Sequence, residues 1–313
     1  MASRDLYDAS VRLQLLIEAV KVNFQLLFNP VFAELSEQIN ALVYAVKTES
    51  LDSLTKRELE LLVGKIHKLQ ISVYAGYVGA LNDEMRDFAE ALGEVLTAVY
   101  EVEPKKAPRI WSAIQSEPIG ANGVFVGVFV KSFAATGTVQ IENMIRKAYA
   151  NAKTKHQTVQ DIEATLNKIR FQSNAVTNTN IQHIASMVSQ SYAVGKFGRY
   201  RWISVIDSAT TDVCHSRNNK MFKYGEGPLP PAHINCRSLI TPHEEGQNSR
   251  AETFFSFLSR QGNAIQNIAL GTKTAGMLRA NRVKAADLMK LANPMRLTTS
   301  DFRNSVDLII DGD

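Results

Sequence analysis

The chain has two cysteines, Cys214 and Cys236, and both fall within one short stretch, YRWISVIDSATTDVCHSRNNKMFKYGEGPLPPAHINCRSLITP, residues 200–242. Three of its six histidines, His215, His233 and His243, lie in or beside that stretch. Thiolate and imidazole are the donors that zinc takes, and two ligands on a knuckle with one distant partner make a workable tetrahedral set. Cys214, eighteen intervening residues, then His233-x-x-Cys236 has that form. His215 adjoins Cys214, and chain neighbours seldom both reach one ion, so Asp207, Asp212 or His243 would have to supply a fourth donor. The same residues permit a plainer reading, in which two small buried cysteines and a hydrogen-bonded histidine tie a hairpin to a loop. A third reading is catalytic: a metal-dependent hydrolase or nuclease built on Asp207, Cys214, His233 and Cys236, or a thiol nucleophile at Cys214 with His233 as base. The chain has no glycine-rich phosphate loop, no His-Glu-x-x-His and no Gly-x-Ser-x-Gly. On that ground the sequence reads as that of a protein that is not an enzyme.

The elements that must position these residues are legible around them. Tyr200 to Ile206 alternates like a half-buried strand. Asp207 to Asp212 offers short oxygen side chains suited to a turn or a helix N-cap. Asn218-Asn219 suits a tight turn, because Asn tolerates positive φ, and Met221 to Tyr224 is the returning strand. Pro230-Pro231 stiffens the loop before His233 and limits where it can return. Cys214, His233, Cys236 and Arg237 are therefore expected to converge, with Arg237 forking onto Asp207 or Asp212.

The rest of the chain reads as mostly helical. Leu6 to Phe24 has helical spacing and is expected to end or kink at Asn29-Pro30. A second run covers Phe32 to Val46. A third opens with Thr55 as N-cap and Glu58 as its capping-box partner and runs to about Val78, where Gly76 and Gly79 weaken it. Asn82 to Tyr100 is a fourth. Val124 to Phe133 reads as strand from its β-branched and aromatic content, although a buried helix fits an apolar run of that length too. Thr138 to Arg170 and Asn180 to Gly195 are helical. The fold class is mainly α with a small α+β motif. Pro104-Lys105-Lys106-Ala107-Pro108 is the clearest linker. The expected organisation is a helical region at 1–107, a basic helical region at 108–199, the motif module at 200–245 and a helical tail at 246–313.

Composition sets limits. Of the 313 residues 45% are hydrophobic and 21% charged, which is enough apolar surface to fold and argues against general disorder. No charge-free window of membrane-spanning length is present, the start lacks a signal-peptide core, and two cysteines exclude a disulfide scaffold. The net charge of +4 is unevenly spread: −5 over residues 1–130, +7 over 131–201 and +2 over 202–313. The basic part holds Arg146, Lys147, Lys153, Lys155, Lys168, Arg170, Lys196, Arg199 and Arg201, which would bind duplex DNA without sequence preference if they shared a face, and otherwise form a solvated helix surface. A DNA-binding module independent of any larger assembly is a further reading of that segment.

The pattern strand–Asp–x–x–Thr–x–x–x–Cys, a hairpin, then Pro-Pro-x-His-x-x-Cys-Arg resembles the phage Mu F-like minor head protein family, the head morphogenesis proteins. It is carried by Trp202, Ser204, Asp207, Thr210, Cys214, Pro230, Pro231, His233, Cys236, Arg237 and Pro242. The resemblance is strong over 198–242, weaker over the rest of 110–305, and does not reach 1–107. It implies a minor capsid component bound to the portal protein inside the head, with the major capsid protein or scaffold as further neighbours. It also implies contact with double-stranded DNA during assembly, packaging or ejection, and no membrane. Such a protein resides in the virion, and in the bacterial cytoplasm during assembly. Many members carry Cys-x-x-Cys at the first cysteine and complete a zinc knuckle with His-x-x-Cys. Here the segment is Cys214-His215-Ser216-Arg217, and Arg217 cannot ligate a metal.

Overall fold

A computed structural model of the chain describes residues 5–205, 210–243 and 253–312. The fold is mainly helical, with a long N-terminal helix, a helical core, a small antiparallel β-module and short C-terminal helices. In chain order the long helices are α1 (Leu6–Tyr44), α2 (Lys56–Tyr100), α3 (Ala107–Ser116), α4 (Val126–Ala150) and α5 (Lys155–Ala193). The β-module follows as β1 (Arg199–Ile203), α6 (Asp212–Arg217), β2 (Met221–Lys223) and β3 (Leu239–His243). The tail is α7 (Phe254–Ser259), α8 (Asn263–Arg279), α9 (Ala285–Leu291), α10 (Thr299–Arg303) and α11 (Val306–Asp311). Two compact units result, one from Met1–Phe24, Met85–Val126 and Asn178–Asp313, the other from Gln25–Glu84 and Gly127–Thr177. The Pro104–Pro108 linker lies inside the first unit.

Several helices are longer than the sequence suggests. α1 continues past Pro30. Phe28, Phe32, Leu35 and Ile39 are buried at i, i+4, i+7 and i+11, and this packing outweighs the one hydrogen bond that proline removes. The expected third and fourth helices are one helix, α2. Tyr74, Tyr77, Leu81, Met85 and Phe88 keep helical burial across the glycines, while Gly76 and Gly79 have open space at their Cβ positions. The strand expected at 124–133 is helical, in α4. Val126, Val130 and Phe133 are buried four and three residues apart, so the period of the buried face overrides β propensity. α5 joins two expected helices, because Ser173, Thr177, Thr179, Asn180, Gln182 and His183 are polar yet buried. It stops at Gly195, whose φ of +102° few other residues tolerate.

The second unit packs Phe28, Phe32, Tyr74, Tyr77 and Phe133 largely edge to face, with ring centroids 5.5–6.4 Å apart. Thr55 and Glu58 form the expected capping box: the Thr55 N–H donates to the Glu58 carboxylate at 2.9 Å and the Glu58 N–H to Thr55 Oγ1 at 3.3 Å. In the first unit the start of α1 is clamped to the tail. Arg260 forks onto Asp8, with Nη2–Oδ1 at 2.6 Å. The Arg12 guanidinium donates to Gln261 Oε1 at 2.7 Å and to the Ile309 and Ile310 carbonyls at 3.2 and 2.8 Å. A cation thereby sits at the C-terminal end of α11. α1 also contains a window apolar and long enough to cross a membrane by composition, but 56% of that window is buried in the protein, where it supplies core.

Candidate metal centre

β1 is the middle strand of a three-stranded antiparallel sheet of order β2-β1-β3. Tyr200 pairs with Phe222 on one side and Pro242 on the other, an edge position where a missing N–H costs no ladder bond. The returning strand and the Asn218-Asn219 turn are as expected: Asn219 has φ +62° and donates its N–H to the Trp202 carbonyl at 2.8 Å. Gly227 is required by close packing, because a Cβ there would lie 2.5 Å from both the Tyr200 hydroxyl and Phe222 Cβ. The helix α6 starts after Thr211, within the stretch read as a turn or a helix N-cap, whereas the strand β3 was not anticipated from sequence.

Trp202, Cys214 and Cys236 form a small buried core, with Phe222 and Ala232 packed against it. The Trp202 indole N–H donates to Ser204 Oγ at 2.9 Å, and Ser204 Oγ donates to the Cys214 carbonyl at 2.9 Å. Ser238 lies 3.1 Å from Ser204 and donates its hydroxyl to Cys214 Sγ at 3.2 Å. Arg217 lies over the Trp202 ring, 5.1 Å from its centroid. Positive φ at Asn235 (+59°) lets the Cys236 N–H turn back to the His233 carbonyl at 3.2 Å, which makes a knuckle. α5 holds that knuckle: the Asn235 N–H donates to Thr179 Oγ1 at 3.1 Å, and Asn178 Nδ2 donates to Asn235 Oδ1 at 3.2 Å.

The donor atoms of Cys214, His233 and Cys236 all lie within 4.8 Å of one another. The two sulfurs are 3.7 Å apart. With zinc–sulfur bonds of about 2.3 Å, the edge of a tetrahedral site is about 3.8 Å. His233 Nδ1 is 2.9 Å from the Ile234 carbonyl, so it carries the proton and leaves the Nε2 lone pair for a metal. One of the two sulfurs donates a hydrogen bond to the other. The hydrogen bond from Cys214 and surrounding donors hold the Cys236 thiol well below its usual range against the effect of burial, and the same bond together with burial pushes Cys214 up. A metal would displace that proton. The residues present therefore fit zinc.

Among the described residues no fourth carboxylate, imidazole or thiol joins the three, so Asp212 and His243 do not complete the set. Asp207, and with it the expected Arg237–Asp207 pair, lies outside the described residues. A cleft of about 920 Å³ reaches Cys214 and His233, and its lining includes Thr210, Thr211, Lys21, Arg237 and Lys290. Three protein donors beside an accessible cleft can support catalysis. This corrects the expectation that the chain is not an enzyme.

Of the other residues singled out in the sequence, Trp202 is fully buried and Pro230 and Pro231 are buried in the loop before the knuckle, while Thr210 donates to the Val205 carbonyl at 2.5 Å. The basic residues divide between the units. Arg146, Lys147, Lys153, Lys155, Lys168 and Arg170 belong to the second, and Lys196, Arg199 and Arg201 to the first. Arg146 pairs with Glu60, Lys153 with Asp161 and Lys155 with Glu49. Lys196 donates to the Tyr100 carbonyl, and Arg201 is only 9% exposed on β1. Lys147, Lys168 and Arg199 are exposed. Ser238 was missed in the sequence; the only signal was a hydroxyl two residues past Cys236. Comparison with protein-family models, curated proteins and solved structures finds no match.

Proposed function

We propose that Cys214, His233 and Cys236 hold one zinc ion and that the chain uses it as a metal-dependent hydrolase of phosphoesters. The observation that carries the reading is a 3.7 Å sulfur pair with an imidazole in reach, no fourth donor among the described residues, and a cleft that opens onto the set. Zinc with an open position lowers the pKa of a bound water toward neutrality and polarises a phosphoryl oxygen. The chain's own contribution is a polar, cationic lining. Lys21 is locked by Glu18 at 2.7 Å and Gln182 at 2.8 Å, and Arg237 and Lys290 add positive charge for an anionic substrate. The test is metal content together with turnover of bis(p-nitrophenyl) phosphate by the zinc-loaded full chain. Turnover lost with a chelator and in Cys214→Ser supports the proposal. One zinc per chain without turnover removes the hydrolase and leaves the metal centre.

A second reading rests on the resemblance to head morphogenesis proteins. Its support is that Trp202, Ser204, Cys214, Pro230, Pro231, His233, Cys236 and Pro242, scattered through the sequence motif, all serve the β-module and its knuckle. On this reading the chain is a minor capsid protein at the portal vertex, in the virion and, during assembly, in the bacterial cytoplasm. Portal protein, capsid or scaffold protein and double-stranded DNA are its partners. Density for the chain next to the portal in a virion or procapsid map would support it, and a complete map without that density would end it.

A further inference from the structure

We propose that Cys214 and Cys236 are also a site of reversible oxidative modification, closing to an intramolecular disulfide that excludes the metal. Exclusion of the metal rests on the metal-centre reading; the disulfide itself rests on the positions of the sulfurs. Both residues are free thiols. Their sulfurs must approach by about 1.7 Å to reach bonding distance, a movement that side-chain rotation supplies. Cys214 is 2% exposed and Cys236 is 0% exposed, so neither can readily meet a thiol of another molecule. The chain contains no third cysteine to compete. The surroundings suit the exchange too, because Cys214 lines the cleft, where a small oxidant reaches it, and Cys236 stands directly behind it.

With hydrogen peroxide as oxidant the step balances. One of the two sulfurs attacks one peroxide oxygen, the O–O bond breaks, and water leaves with the thiol proton, giving a sulfenic acid. The other sulfur then attacks the sulfenic sulfur, the S–O bond breaks, and a second water leaves with the remaining proton. Two thiols are oxidised by two electrons and one peroxide is reduced to two waters. Tetrahedral ligation needs the sulfurs about 3.8 Å apart and a disulfide needs about 2.05 Å, so one pair cannot satisfy both. The module keeps a clip across the same two positions in either state.

The experiment uses the full chain, reduced, in a metal-free and a zinc-supplied arm, each treated with hydrogen peroxide. In the metal-free arm, thiols titratable in denaturant should fall from two to none. A peptide linking Cys214 to Cys236 should appear, and dithiothreitol should restore both thiols. In the zinc-supplied arm, release of the ion to a chromogenic chelator should track thiol loss. Thiols that persist, proceed to sulfinic acid or link separate chains would overturn the proposal, as would disulfide formation with the ion retained. A chain that never takes up zinc would sink the metal-centre reading and the exclusion with it, while the metal-free arm still decides the disulfide.

Discussion

Ser238 donates its hydroxyl to the sulfur of Cys214 at 3.2 Å. That bond orients the sulfur and stabilises negative charge on it, the role that outer groups play around metal ligands. Ser238→Ala should weaken zinc binding by about 10-fold or more with the fold intact. Competition with a chelator of known affinity measures this, and an unchanged affinity would make the hydroxyl a matter of packing alone.

Trp202 fills the centre of the β-module with no exposed surface. Replacing it with alanine removes the largest side chain of that core and leaves Ser204 without its indole donor. The expected loss is about 3–5 kcal/mol in denaturant unfolding. Trp202→Phe should cost much less, because it keeps most of the volume.

His183 makes the first unit sensitive to acid. Burial lowers its pKa to about 4, against 6.5 when free, despite hydrogen bonds to the backbone at Ile114 and Glu117. Between those values the unfolded chain binds the extra proton, so acid favours unfolding. The contribution is fully present above pH 6.5 and is lost as pH falls through 4, amounting to about 3 kcal/mol over the window. His183→Gln should flatten this part of the stability–pH curve, which equilibrium unfolding at a series of pH values will show.

Arg12 satisfies two carbonyls at the end of α11 and one side-chain amide. Arg12→Met keeps the stem and deletes the donors, at an expected cost of about 2 kcal/mol. Hydrogen exchange should rise in 306–312 and remain unchanged in α4. Uniform loss across both segments would contradict a local clamp.

If the chain touches duplex DNA, the exposed Lys147 and Lys168 should carry more of the salt dependence than Lys153 and Lys155, which are engaged with Asp161 and Glu49. Reversing the charge of the first pair should flatten the log–log salt slope by about 0.9 for each phosphate that is no longer neutralised. A slope untouched by that change would remove this surface from any DNA contact.

The candidate metal site was more legible than the framework around it. Cys214, His233 and Cys236 could be paired because few residue types ligate zinc and they were crowded into one stretch. The limits of the long helices could not be read, since Pro30 and Gly76 are local signals and the packing of Phe32 or Met85 is not. The apolar run at 124–133 misled because its β-branched and aromatic content suits a strand, whereas burial of Val126, Val130 and Phe133 follows a helix. Asn180 and His183 fall within a helix read from the sequence, but nothing in the sequence showed that they are buried. Ser238 gave almost no warning, because serine is common and its value here comes from a sulfur that is 24 positions away in the chain.

The clamp on α1 bears on how the protein is made. Asp8 and Arg12 leave the ribosome about 250–300 residues ahead of their partners at Arg260, Gln261, Ile309 and Ile310. At about 5–20 residues per second, the N-terminal turn of α1 waits roughly 15–60 s for those partners. During that interval an apolar helix stands without the tail that covers its start. A chain stopped before residue 260 would leave the start of α1 without these tail contacts, its apolar face open to the holding chaperones that bind such surfaces.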